Sequence, residues 1–149
     1  MLLQNAIADT LNDTEWLFAL AECVHIGSFA VAIGSIALVD FRMLNLGLRK
    51  ESSALILRYT EPWTLVAMVF VLFSGLALFL SQVSIYATNQ AFPLKMYVLA
   101  AALIYNFTLH RKVAKMTDAS AGVSKIAAIV SVLLWVSVVF GGIFTGFLV

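Results

Sequence analysis

Residues 62–86 read PWTLVAMVFVLFSGLALFLSQVSIY, a run without one charged side chain. About 20 helical residues cross the roughly 30 Å hydrocarbon layer of a bilayer, so this run is long enough to span one. It lacks the period-two alternation of a membrane β-barrel strand. In lipid every backbone N–H and C=O needs a partner within the protein, and a helix provides it inside the segment itself. Pro62 suits the first turn of that helix, where its missing N–H removes no bond.

Three more apolar stretches flank this one, over residues 16–39, 93–110 and 126–149. The sequence therefore predicts an all-α integral membrane four-helix bundle in a single domain covering residues 1–149. Composition agrees. The chain is 62% hydrophobic and 11% charged, with a mean hydropathy of +1.01, whereas soluble domains carry about 25% charged residues. A soluble fold of this size has too much surface for such a composition. The net charge of +1 and the absence of a long basic tract exclude nucleic acid as a partner. Cys23 is the one cysteine, so no internal disulfide forms.

Helix boundaries have chemical causes. Thr14 is placed to cap the first helix, and Glu15 favours its positive end. Pro93 suits the first turn of the third. Ser120 to Gly122 reads as the loop before the fourth. The start Met1-Leu2-Leu3-Gln4-Asn5 lacks the basic region of a cleavable signal, and Asp9, Asp13 and Glu15 make it acidic, so the first helix is expected to stay in the mature protein.

Arg42, Arg49, Lys50 and Arg58 lie between helices one and two, and Arg111, Lys112, Lys115 and Lys125 between helices three and four. Lys95 alone lies toward the other side. The positive-inside rule then predicts both termini on the outer, periplasmic side of a bacterial inner membrane. Trp16, Trp63, Tyr86 and Phe92 are placed as an interfacial aromatic belt.

Ionisable groups in a bilayer are expensive and face a protein interior. Glu22, His25 and Asp40 share one stripe of the first helix at ~100° per residue. Gly27 and Gly34 lie on the opposite stripe, where small residues let another helix approach. Lys95, Ala102 and Asn106 share a stripe of the third helix, with His110 at its edge. His25 and His110 are expected to differ by about 10 Å in depth, too far apart to flank one iron. Glu22, His25 and Lys95 are the more coherent set. Glu22 is expected to pair with Lys95 or to orient His25. Asp40 and Arg42 are expected to pair locally, or with Arg58 or Glu61. His110, next to Arg111 and Lys112, reads by default as a solvated end, with a second polar site at Asn106 and His110 as the alternative. Glu22 and His25 also form an E-x-x-H pair, but a di-metal centre needs further Glu residues and a second such pair. No phosphate loop, Cys-x-x-Cys pair or spaced Ser-His-Asp set is present.

Ala21-Glu22-Cys23-Val24-His25-Ile26-Gly27, then Gly34 and Asp40-Phe41-Arg42, resembles the first helix of the HemJ-type protoporphyrinogen oxidases and the CopD copper-resistance membrane domains. Phe92-Pro93-Leu94-Lys95-Met96-Tyr97-Val98-Leu99 through Leu103-Ile104-Tyr105-Asn106-Phe107 resembles their third helix. Pro62 and Gly75 fall where that superfamily has a proline and a glycine. The pattern is closer still to uncharacterised bacterial four-helix membrane proteins. The resemblance implies haem b at His25, with Lys95 as a second functional group and Glu22 beside them. Val31 and Ala32 stand where the oxidases have a tryptophan. The expected function is therefore haem-based electron transfer, an oxidoreductase role with a quinone or a membrane or periplasmic partner. HemJ-like protoporphyrinogen oxidation is one alternative. Another is a non-catalytic accessory subunit, and a homo-oligomer or larger membrane complex is the expected assembly. No enzymatic reaction is assigned.

Overall fold

The computed structural model describes residues 6, 8–11, 13–48, 50–116 and 119–147. The expectations for residues 1–5, Arg49 and the helix end at 148–149 lie outside them, as does the side chain of Glu15. Helix α1 covers Glu15–Met43. Thr14 occupies the capping position in extended backbone, but its hydroxyl makes no cap bond. Its carbonyl instead closes the first turn, accepting from Leu17 N–H at 2.9 Å. The helix passes the expected end at 39 because Ile36, Val39, Asp40 and Met43 are buried along one stripe. Asn45 and Leu48, at φ of 65° and 52°, then turn the chain.

Helix α2 covers Ser53–Ser81, so Pro62 lies inside it rather than at its start. The helix start expected at Pro62 is moved upstream. Ser52 caps the helix by accepting Leu55 N–H at 3.1 Å, which fixes the first turn nine residues before the proline. Pro62 marks instead where the charged residues Arg58 and Glu61 give way to the uncharged run. At ~1.5 Å per residue α2 is about 43 Å long, longer than the roughly 30 Å of hydrocarbon. Trp63 accordingly lies on the outer face of α2, well inside the helix rather than at its end. Helix α2 also stops at Ser81, short of the expected 86. Gln82 leaves helical geometry, and Val83–Thr88 forms a separate short helix, α3.

Helix α4 covers Ala91–Tyr105, with Pro93 in its first turn as expected. It runs on through a π-turn, Asn106–His110, into α5, Arg111–Lys115, five residues past the expected end. Helix α6 covers Ala121–Phe147. It starts before the expected 126 because Ser120 Oγ accepts Val123 N–H at 3.3 Å, leaving only Ser120 of the expected loop outside the helix.

Helices α1 and α2 pack as one pair and α4 and α6 as another, with α1 joining the pairs through α6 and α5 meeting α2. One core cluster gathers Ala32, Ile36, Ala67, Met68, Val71, Ala102, Trp135 and Val138; a second holds Val39, Met43, Ile56, Leu57, Ala114, Ala127 and Ala128. Small residues at these contacts let the helices approach closely. The outer face carries Trp16, Ile26, Phe73, Tyr97, Ile104 and Ile126, all exposed. A water-soluble monomer rarely shows so continuous an apolar surface. The four long segments, Trp16–Met43, Ser53–Ser81, Ala91–Lys115 and Ala121–Thr145, are each long and apolar enough to cross a membrane. The chain is a multi-pass membrane protein.

Candidate functional site

His25 projects from α1 onto α2. Its Nδ1 lies 3.0 Å from Val71 O and 3.0 Å from Ser74 Oγ. A carbonyl only accepts, so Nδ1 carries the proton and donates it. Ser74 spends its own hydroxyl proton on Phe70 O at 2.6 Å and so also faces Nδ1 as an acceptor. The neutral ring is thereby held with its Nε2 lone pair unprotonated, the form in which histidine ligates metals. Gly75 makes this seat possible. A Cβ there would lie 2.9 Å from His25 Cε1 and 3.3 Å from Nδ1.

Lys95 packs against α6 in ordinary van der Waals contact. Its stem runs over α6, where a Cβ at Gly141 would lie 3.4 Å from Lys95 Cβ and one at Gly142 would lie 3.7 Å from Nζ. A cavity of about 480 Å³ opens beside Lys95, lined by Leu94, Val98, Val136, Phe140 and Phe144.

Glu22 neither pairs with Lys95 nor orients His25, which corrects the expectation for it. The described ion pairs are Asp40–His110 and Arg111–Glu61, and the His25 ring is oriented by α2. Glu22 is exposed. It acts on Tyr86 of α3, where burial first and the Glu22 charge second push the phenol above its ordinary range.

A second polar site lies toward the other end. His110 Nε2 is 2.6 Å from Asp40 Oδ1, and Ser131 Oγ donates to Asp40 Oδ2 at 2.9 Å. Asp40 and His110 are each 2% exposed and Ser131 0%. His110 is therefore a buried partner of Asp40, not a solvated end. Asp40 does not pair with Arg42, Arg58 or Glu61. Arg42 Nε donates to Glu51 O, and Arg111 meets Glu61 Oε1 at 2.5 Å. Asn106 is buried one turn before His110, at the start of the π-turn. The π-turn adds a residue to the helical turn and re-aims the residues beyond it. Although Asp, His and Ser meet here, the serine donates to the carboxylate and not to the imidazole. The set therefore lacks the nucleophile–base contact of a hydrolase.

The two sites share one register. His25 and Lys95 are 70 residues apart in sequence, as are Asp40 and His110. Ala32 and Ala102, both fully buried in the first core cluster, keep the same separation. The first and third membrane segments thus run in the same direction at matched depth. His25 and His110 consequently differ by about 22 Å along the helices, the rise of fifteen residues, rather than the expected 10 Å. Matched fifteen-residue intervals, His25 to Asp40 and Lys95 to His110, were the signal for this register in the sequence. Ser74, Gly141, Gly142 and Ser131 had no such signal, because each acts through a neighbour on another helix.

Over residues 11–148 the chain matches the family described as a family of unknown function, DUF6644. The chain belongs to that family. No curated protein and no solved structure matches it. The family description carries no activity, so the case for function rests on the geometry of the two polar sites.

Proposed function

We propose that this DUF6644 member is a haem b-binding membrane protein that passes electrons, with His25 as an axial ligand of the iron. The observation that carries the reading is the tautomer. Val71 O and Ser74 Oγ hold Nδ1–H and leave Nε2 as a free donor, the orientation that metal-ligating histidines take. Gly75 supplies the close approach that fixes the ring. Lys95 offers a cation for a haem propionate, with its stem held over Gly141 and Gly142. When bound, haem supplies one-electron exchange, and the protein sets its potential through the ligand, burial and nearby charge. The resemblance to the HemJ-type and CopD proteins at His25 and Lys95 supports the same reading. The apolar cavity beside Lys95 suits a quinone as electron partner. Basic residues collected at the end of α1, the start of α2, in α5 and at the start of α6 support an inner-membrane orientation with both termini outside.

The test is the absorption spectrum of the purified membrane protein. A Soret band and a redox-sensitive α band are expected, both lost in His25→Ala. A colourless preparation from haem-replete cells, without extractable haem, would sink the proposal.

The second reading is an accessory subunit. At Gly27 and Gly34 an added Cβ would meet nothing within 4 Å, so among the described residues no helix fills the notch those glycines form. That face is open to a second copy or to another membrane subunit. Co-purification in mild detergent, abolished by Gly27→Leu, is the expected result. A solitary, monodisperse monomer argues against this reading.

A further inference from the structure

At the basic end a cavity of about 440 Å³ lies between the turn after α1 and the starts of α2 and α6. It is the more polar of the two cavities described, and two cations line it, Arg42 from α1 and Lys125 from α6. Among the described residues neither has a carboxylate partner. Arg42 spends its Nε on the carbonyl of Glu51, and its terminal guanidinium nitrogens remain as further donors. Ser52 accepts Leu55 N–H through its oxygen and keeps its own proton to donate. The Ser124 hydroxyl lines the same wall. Ser53 and Ala54, also in the wall, are the first residues of α2. Their N–H groups have no carbonyl inside the helix to bond, and the start of a long helix carries partial positive charge. Two cationic residues, two hydroxyl-bearing residues and the start of α2 line one cavity, and among the described lining residues none is acidic.

We infer that this cavity binds a phosphate group, presented either by the headgroup of an anionic phospholipid or as a free phosphate. A tetrahedral oxyanion suits donors supplied by three separate helices, and guanidinium with hydroxyl and amide donors is a recurrent phosphate environment. The cavity is independent of His25, so its failure and that of the haem reading are separate results.

The test uses the full chain in neutral detergent. It is titrated with short-chain phosphatidylglycerol and with inorganic phosphate, against short-chain phosphatidylcholine and chloride at matched ionic strength, with binding and thermal shift as readouts. Saturable binding is expected. Loss of one charge-assisted contact in Lys125→Gln is expected to weaken it about tenfold. Arg42→Gln is expected to weaken it at least as much, but that change also releases the Glu51 carbonyl. Lys125 is exposed and bonds no described residue, so its variant separates ligand loss from a loosened turn. Binding of phosphatidylglycerol alone assigns the headgroup, and equal binding of inorganic phosphate assigns the free anion. No binding above the controls, or unchanged binding in both variants, overturns the inference.

Discussion

Single residues in this protein matter by the space they leave as much as by the groups they carry. Gly75 is the clearest case. In Gly75→Ala the new methyl would meet the His25 ring at 2.9 Å, closer than side-chain atoms pack. Overpacking of this kind destabilises by about 1–3 kcal/mol, and the ring must also leave its seat. The variant is therefore expected to unfold at lower temperature and to lose any spectral signature that depends on His25. Gly34→Ala has open space at its Cβ. It is expected to be neutral or to stabilise by up to about 1 kcal/mol through helix propensity. Asp40 is the opposite case, a buried acceptor serving two donors. Asp40→Ala leaves His110 without its partner in a dry interior, at an expected loss of about 3 kcal/mol or more. Ser131→Ala removes one bond and is expected to lose about 1 kcal/mol. Unfolding in mild detergent should rank them in that order, and equal losses would show that the carboxylate is not the hub.

Helices here are held by capping and by ties to their neighbours. Asn89 is buried between α3 and α4. Its Oδ1 accepts Ala91 N–H at 2.9 Å and its Nδ2 donates to Thr145 O at 2.9 Å, joining the start of α4 to the end of α6. Asn89→Ala loses both bonds and is expected to destabilise by about 1–3 kcal/mol. Asn89→Asp keeps the acceptor, loses the donor and sets a negative charge against a carbonyl, so it should not rescue. Amide hydrogen exchange at the start of α4 would report the fraying directly. The four segments were legible in the sequence because apolar length decides them. Several of their ends were not. Pro62 looked like a start because proline favours first turns, yet Ser52 had already capped the helix. Val39 looked like an end because polar residues come after it, yet Asp40 is one of those polar residues and is buried by its bonds to two other helices. His25 and Lys95 stood out as rare polar groups. What seats His25, the Val71 carbonyl and Gly75, comes from α2, far away in sequence.

For the molecule as a whole, the turn from α1 to α2 and the turn from α5 to α6 lie at one end of the bundle, and the start of α1 and the end of α6 at the other. Single cysteines placed at Gly47 and Gln90 in a Cys23→Ser background test the orientation. A membrane-impermeant maleimide is expected to reach position 90 from the periplasmic face of intact cells. Position 47 should react only in inverted vesicles. The reverse pattern would turn the bundle over and place the phosphate cavity outside.

Lipid tails are as apolar as the helix faces, so little hydrophobic force resists the sliding of one helix along another. The Asp40 carboxylate, bonded at once to the third and fourth membrane segments, acts as an axial pin. Moving α1 by one turn, about 5.4 Å, would break both of its bonds in a medium with no replacement donors. Tilting about that point leaves both intact. The bundle is therefore built to rock and not to piston, and any motion it makes should be widest at the end where His25 sits.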